Sequence, residues 1–205
     1  MHLRTSQANQ LLIQLKTYSW VDSDTVLLNP NIPLETFLPP SDFSDVHMLL
    51  TKDWNGMNAG VFMIRVHPWS IQLLSAAISY PAQNPKVDLL WKEQSALTRL
   101  FKENNYFARS VVYCPLRWFN AYMGMPDVMN PSSSPMFRAQ PGDLLIHFAG
   151  TSAEKLADSM EPYFAIAEKH QTEWQLPLQQ TGHIKDAQMF WENMRHWQFG
   201  PLDQQ

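Results

Sequence analysis

One cysteine, Cys114, is all that this chain of 205 residues contains. A single thiol closes no internal disulfide, so the fold holds without covalent cross-links and the redox compartment is left open. No stretch approaches the roughly 20 apolar residues that a membrane-spanning helix needs. The polar opening Met1 to Gln10 also has no signal-peptide apolar core. A basic excess is missing too. Lys and Arg number 15 against 19 Asp and Glu, a net charge of −4 with the 7 His neutral, which disfavours a nucleic-acid partner. It leaves room for a small anionic ligand held through a metal. Internal repeats are absent. What is present is an ordinary globular balance, 45% hydrophobic and 17% charged, which excludes a disordered chain and suits one domain. Eight Trp stand ready to fill a core or to stack on sugar rings and bases.

Periodicity predicts strands alternating with helices. Ser6 to Tyr18 reads as a helix, with Leu11, Leu12, Leu15 and Tyr18 at helical spacing. Tyr18 to Val21 reads as a short buried strand ending at Asp22-Ser23-Asp24, and Thr25 to Leu28 continues apolar until Asn29-Pro30-Asn31 stops it. The proline-rich stretch from Ile32 to Ser44 reads as a surface loop. His47 to Thr51 and Val61 to Val66 read as strands on either side of a polar loop, Lys52 to Asn58. Pro68 suits a helix first turn, so a helix over Trp69 to Ser79 follows, closed by Pro81. Further helices are expected over Trp91 to Asn104, Ala153 to Gln171 and Lys185 to Trp197, strands over Arg109 to Tyr113 and Leu144 to Phe148, and a loop over Met123 to Pro141. The alternation implies an α/β sheet that is at least partly parallel.

Four segments carry chemistry, each with a bland reading beside it. Asp22 and Asp24 sit two apart at the end of a hydrophobic strand, where repulsion and desolvation call for a cation or several donors. A hard divalent ion such as Mn²⁺ or Mg²⁺ fits, because it takes oxygen ligands and bridges to phosphates; a solvated loop is the alternative. His147, leaving an apolar strand before Gly150, is a metal ligand or a core histidine bonded to backbone. Asn58-Ala59-Gly60 is a small-residue turn into a buried strand that lets a ligand approach the backbone, or an ordinary turn. Glu93 and Gln94 open a helix, where a carboxylate either serves the site or merely complements the helix dipole.

Taken in order, Trp20-Val21-Asp22-Ser23-Asp24, Asn29-Pro30, Asn58-Ala59-Gly60-Val61-Phe62-Met63-Ile64-Arg65, Trp69-Ser70, Glu93-Gln94-Ser95-Ala96-Leu97 and His147-Phe148-Ala149-Gly150 resemble glycosyltransferase family 34. That family holds fungal α-1,2-galactosyltransferases, fungal α-1,6-mannosyltransferase subunits and plant xyloglucan xylosyltransferases. The resemblance runs from about Trp20 to Gly150, with the fungal branch closer. It implies an α/β GT-A fold, a Mn²⁺ ion with Mg²⁺ as the alternative, a nucleotide-sugar donor (UDP-galactose or GDP-mannose), a glycan acceptor and transfer with retention. Carried over by position, it implies that Asp22, Asp24 and His147 hold the metal. Asn58, Ala59 and Gly60 would line the donor, and Glu93 and Gln94 would sit near the reacting carbon. Gly150 and Lys155 would lie by the diphosphate. By analogy the place of action is the lumenal side of the Golgi membrane, in company with other glycosyltransferase subunits.

Two departures from that pattern shape the expectation. Where the family continues its histidine loop with a Cys and a basic residue, Thr151-Ser152 stand here and the next cation is Lys155. The metal motif also appears at residue 22, so the resemblance implies a GT-A domain that is N-terminally incomplete, over residues 1–175, followed by a C-terminal extension over 176–205 with its own helix. A catalytically silent relative or complex subunit is the non-enzyme alternative. A haloacid-dehalogenase-type phosphatase, with Asp22 as nucleophile and Asp24 as general acid/base, is the other enzymatic one. It needs a downstream acid pair, for which Asp143 offers one member.

Overall fold

The computed structural model describes residues 17–123 and 136–199. The strands run β1 (Thr17–Val21), β2 (Thr25–Leu27), β3 (Met48–Asp53), β4 (Gly56–Arg65), β5 (Val111–Cys114), β6 (Ala121–Tyr122) and β7 (Leu145–His147). The helices are α1 (Pro68–Gln83), α2 (Lys92–Glu103), the single turn α3 (Asn105–Ala108), α4 (Ala153–Glu168) and α5 (His183–Phe199). Two compact units result: one comprises residues up to Val21 with Ser44–Cys114, the other Asp22–Phe43 with residues from Pro115 onward.

The first unit holds a four-stranded sheet in the order β1-β4-β3-β5, antiparallel except for the parallel pair β3–β5. The polar stretch expected as a loop is mostly a tight hairpin. Trp54 and Asn55 turn the chain, Asp53 Oδ1 accepts from the Asn55 amide at 2.6 Å, and Gly56 takes φ +107°. Left-handed φ is where glycine is needed, so β4 begins there. Met48, Leu50, Met57, Trp69, Leu73, Leu97 and Phe107 form the core between sheet and helices. Pro68 opens α1, and His67 caps it by accepting the Trp69 amide on Nδ1 at 3.2 Å. The helix does not stop at Pro81 but continues to Gln83. A proline in the last turn removes one backbone bond only. Tyr80 is buried and donates its hydroxyl to Glu103, which holds the turn in place.

Another expectation fails at β1. Its composition suits a buried strand, yet Tyr18, Trp20 and Val21 are exposed, and among the described residues β1 is the sheet's edge. The predicted helix over Ser6 to Tyr18 lies outside the described residues up to Lys16, and its last two residues belong to β1.

The second unit holds a three-stranded sheet, β2-β7-β6, with β2 antiparallel and β6 parallel to β7. Val26, Leu28, Ile146, Phe148 and Met160 of α4 make its core. The proline-rich segment expected as a surface loop is anchored instead. Ile32, Phe37 and Phe43 are buried, with Phe37 stacked on Trp118 at 5.2 Å and Phe43 tilted on Trp191 of α5 at 4.9 Å. Asn29, wholly buried, bonds the carbonyls of Gly142 and Leu176 at 3.2 and 3.0 Å. Among the described residues no helix is long and apolar enough to cross a membrane.

Candidate metal centre

Asp22, Ser23 and Asp24 form the turn that leads into β2. The turn is fastened at both ends: Thr25 Oγ1 donates to the Asp22 carbonyl at 2.8 Å, and the Phe148 amide donates to the Asp24 carbonyl at 2.9 Å. Strand pairing then sets Thr25 opposite His147, so the imidazole arrives beside the turn by register alone. One ligand atom from each of Asp22, Asp24 and His147 lies within 4.8 Å of the others, and His147 Nε2 stands 3.3 Å from Asp24 Oδ1. Neighbouring ligands of one divalent ion are about 3–3.5 Å apart at ordinary bond lengths. Two carboxylates and an imidazole at this spacing could hold one divalent cation. The imidazole is 3% exposed while the Asp24 carboxylate is 27% exposed, so the cluster opens to solvent on its acidic side.

His147 is oriented from behind. Its Nδ1 lies 2.8 Å from Oδ1 of Asn120, which is wholly buried, and the Tyr122 ring meets it edge-on at 5.8 Å. No sequence signal marks Asn120; its role comes from β6 lying alongside β7.

A second buried polar group sits before β7. Arg117 forks onto Asp143 at 2.9 and 2.7 Å, and the Gln140 amide adds a bond of 2.8 Å. His183 Nε2 approaches the same carboxylate at 3.7 Å. Burial lowers the pKa of His183, and Asp143 pulls it the other way. The acid on which the phosphatase reading depended is therefore committed to an ion pair.

Of the donor-side candidates, Asn58, Ala59, Gly60, Glu93 and Gln94 lie in the first unit, and Gly150 and Lys155 in the second. Asn58, Ala59 and Gly60 are not a turn but part of β4, at a bulge opposite Leu49–Thr51. The bulge frees two amides from the ladder, and side chains take them: Gly60 N–H donates to Asn58 Oδ1 and Ala59 N–H to Gln94 Oε1, both at 2.9 Å. The structure thus joins Gln94 to the Asn58–Gly60 segment, two readings that the sequence kept apart. Glu93 is exposed in the first turn of α2. Gly150 takes φ +75° in the turn after β7, with open space around it, and Lys155 is exposed in the first turn of α4.

Comparison with known proteins bears on this geometry. The model of the galactosyl transferase GMA12/MNN10 family matches residues 39–157, a range that includes every site candidate except Asp22 and Asp24. An α-1,2-galactosyltransferase of Schizosaccharomyces pombe, itself uncharacterized, is 31% identical over 150 residues, or 70% of this chain and 36% of that protein. A probable α-1,6-mannosyltransferase, MNN10 of Saccharomyces cerevisiae, is 24% identical over 76% of this chain and 47% of its own length. The chain thus spans half or less of these relatives. A crystal structure of a glycosyltransferase involved in glycosylating the major capsid of PBCV-1 superposes with a TM-score of 0.52 at 19% identity, covering 77% of this chain and 72% of that one. The α/β fold is that of a glycosyltransferase, as the sequence implied.

Proposed function

The chain belongs to the galactosyl transferase GMA12/MNN10 family, and from that membership we propose that it is the metal-binding part of a retaining hexosyltransferase acting on a nucleotide sugar and a glycan acceptor. The observation that carries this reading is the convergence of Asp22, Asp24 and His147 on one point. These three residues would hold a divalent cation, Mn²⁺ or Mg²⁺, which when bound would supply positive charge to offset that on a departing nucleoside diphosphate. Asp22 and Asp24 are half-buried, while the buried His147 closes the inner side of the cluster.

By the family resemblance, Asn58, Ala59 and Gly60 would line the donor sugar. Gln94 has its oxygen engaged by Ala59, so it presents its NH₂ end to a sugar hydroxyl. That leaves the exposed carboxylate of Glu93 as the group that stabilises positive charge at the anomeric carbon. Gly150 and Lys155 flank the diphosphate, the glycine by allowing close backbone approach and the lysine by charge. UDP-galactose and GDP-mannose are the donors to try, and the Golgi lumen is the compartment. Residues 1–175 belong to the catalytic domain and 176–205 extend it.

The test is transfer and hydrolysis of both donors with Mn²⁺ and with EDTA. We expect metal-dependent turnover that falls by at least about a hundredfold in Asp24→Ala, the scale on which removal of one transition-state stabiliser acts. Turnover that survives EDTA, or is unchanged in Asp24→Ala, would refute the metal assignment. Metal binding without turnover of any donor would identify a catalytically silent relative.

A further inference from the structure

We propose that Asn120 is a positioning residue that fixes the tautomer of His147, holding the proton on Nδ1 so that Nε2 presents its lone pair to the aspartates. The geometry is specific. Asn120 Oδ1 lies 2.8 Å from His147 Nδ1, while His147 Nε2 lies 3.3 Å from Asp24 Oδ1. A neutral imidazole carries one proton, so one of these contacts holds an N–H and the other a lone pair. With the amide oxygen as acceptor, the proton belongs on Nδ1, and Nε2 is the nitrogen left to ligate. In the opposite arrangement the amide NH₂ would donate to Nδ1 and Nε2–H would point at Asp24, closing the cluster to a cation.

The surroundings hold Asn120 in place. Its backbone amide donates to the Leu116 carbonyl at 2.9 Å, and its neighbours Phe119 and Ala121 are wholly buried. β6 begins at the next residue and pairs Tyr122 with His147, so the carboxamide and imidazole are fixed by one ladder. An amide also differs from the carboxylate often found behind a metal-bound histidine. It adds no charge, so two aspartates and a neutral imidazole balance a divalent ion. The inference rests on the metal reading for its purpose, but the tautomer itself is a property of the metal-free protein.

The experiment exploits that separation. In protein labelled with ¹⁵N-histidine and stripped of metal, long-range ¹H–¹⁵N correlation at neutral pH reports each tautomer. His147→Gln identifies the His147 signals among the 7 histidines. The expected pattern is the Nδ1–H form in the wild type, lost in Asn120→Leu. Mn²⁺ affinity, read by electron paramagnetic resonance, should fall about 10- to 100-fold in Asn120→Leu. An Nε2–H form in the wild type, or an imidazolium protonated on both nitrogens at neutral pH, overturns the proposal, and because that reading needs no variant it decides the matter even if Asn120→Leu does not fold. A folded Asn120→Leu that binds Mn²⁺ as well as wild type also overturns it. A wild type with the Nδ1–H form but no Mn²⁺ affinity would instead sink the metal reading and leave the role of Asn120 standing.

Discussion

At the scale of single residues, histidines divide by what their neighbours demand of the imidazole. His147 is held by its amide partner Asn120 beside two aspartates, whereas His47 is packed so that charge is unwelcome. His47 stacks on the His67 ring at 4.0 Å and lies against Trp69 at 5.4 Å, and its Nδ1 is buried without a partner. Burial, then the nearby His67, lowers its pKa from 6.5 to about 4. A depressed folded pKa means that the unfolded chain binds the extra proton between these values. This contribution to stability is therefore full above pH 6.5 and is lost as the pH falls toward 4. Thermal melts across that window should show a decline, and His47→Phe should flatten it. An unchanged slope in the variant would assign the decline to other groups. Of the site residues, Asp22, Asp24 and His147 were each legible, because a carboxylate pair and a lone imidazole at strand ends are chemically conspicuous. Asn120 was not, since a buried amide looks the same in sequence whether it bonds to backbone or to a ligand.

At the scale of elements, the bulge in β4 shows why a strand was mistaken for a turn. Asn and Gly side by side are the usual turn residues, but here Asn58 and Gly60 supply an irregularity inside a strand, with Asn58 and Gln94 accepting the amides that β3 does not. The Ala59 amide is buried, so Gln94→Leu should leave it unsatisfied and destabilise the protein by about 1–3 kcal/mol. Gln94→Glu keeps an acceptor and should cost much less. Urea unfolding of the two variants distinguishes a fastened bulge from a passive one. The same pattern of local reading and remote control recurs in the segment from Ile32 to Ser44, where proline content suggested a surface loop. Phe37 and Phe43 are buried by aromatic partners far along the chain, which no local window contains.

At the scale of the whole molecule, metal and stability are linked. A cation that binds the folded chain and not the unfolded one adds about 2.7 kcal/mol at a hundredfold excess over its dissociation constant. Mn²⁺ should thus raise the melting temperature of the wild type in a concentration-dependent way, and EDTA should reverse it. Asp24→Asn should melt at the same temperature with and without Mn²⁺. If it responds as the wild type does, the ion binds elsewhere. The ligands all belong to the unit built from Asp22–Phe43 and residues from Pro115 onward. Hydrogen-exchange protection by Mn²⁺ should be largest at the Asp22–Asp24 turn and at β7.

The sequence by itself determined the α/β class and the family and singled out Asp22, Asp24 and His147, which the structure brings together, because strand and helix periodicities and chemically distinctive residues are local properties. It also placed α2 and α4 to within a few residues, and found α1 and α5 but made both too short. Tertiary structure alone decided that β1 is an exposed edge and that β2 and β7 pair with Thr25 opposite His147. It decided too that Asn120 stands behind the imidazole and that Asp143 is held by Arg117. These are contacts between residues 26 to 122 positions apart. Long-range pairing is fixed by how buried surfaces fit together, and that fit is not written in any single stretch of chain.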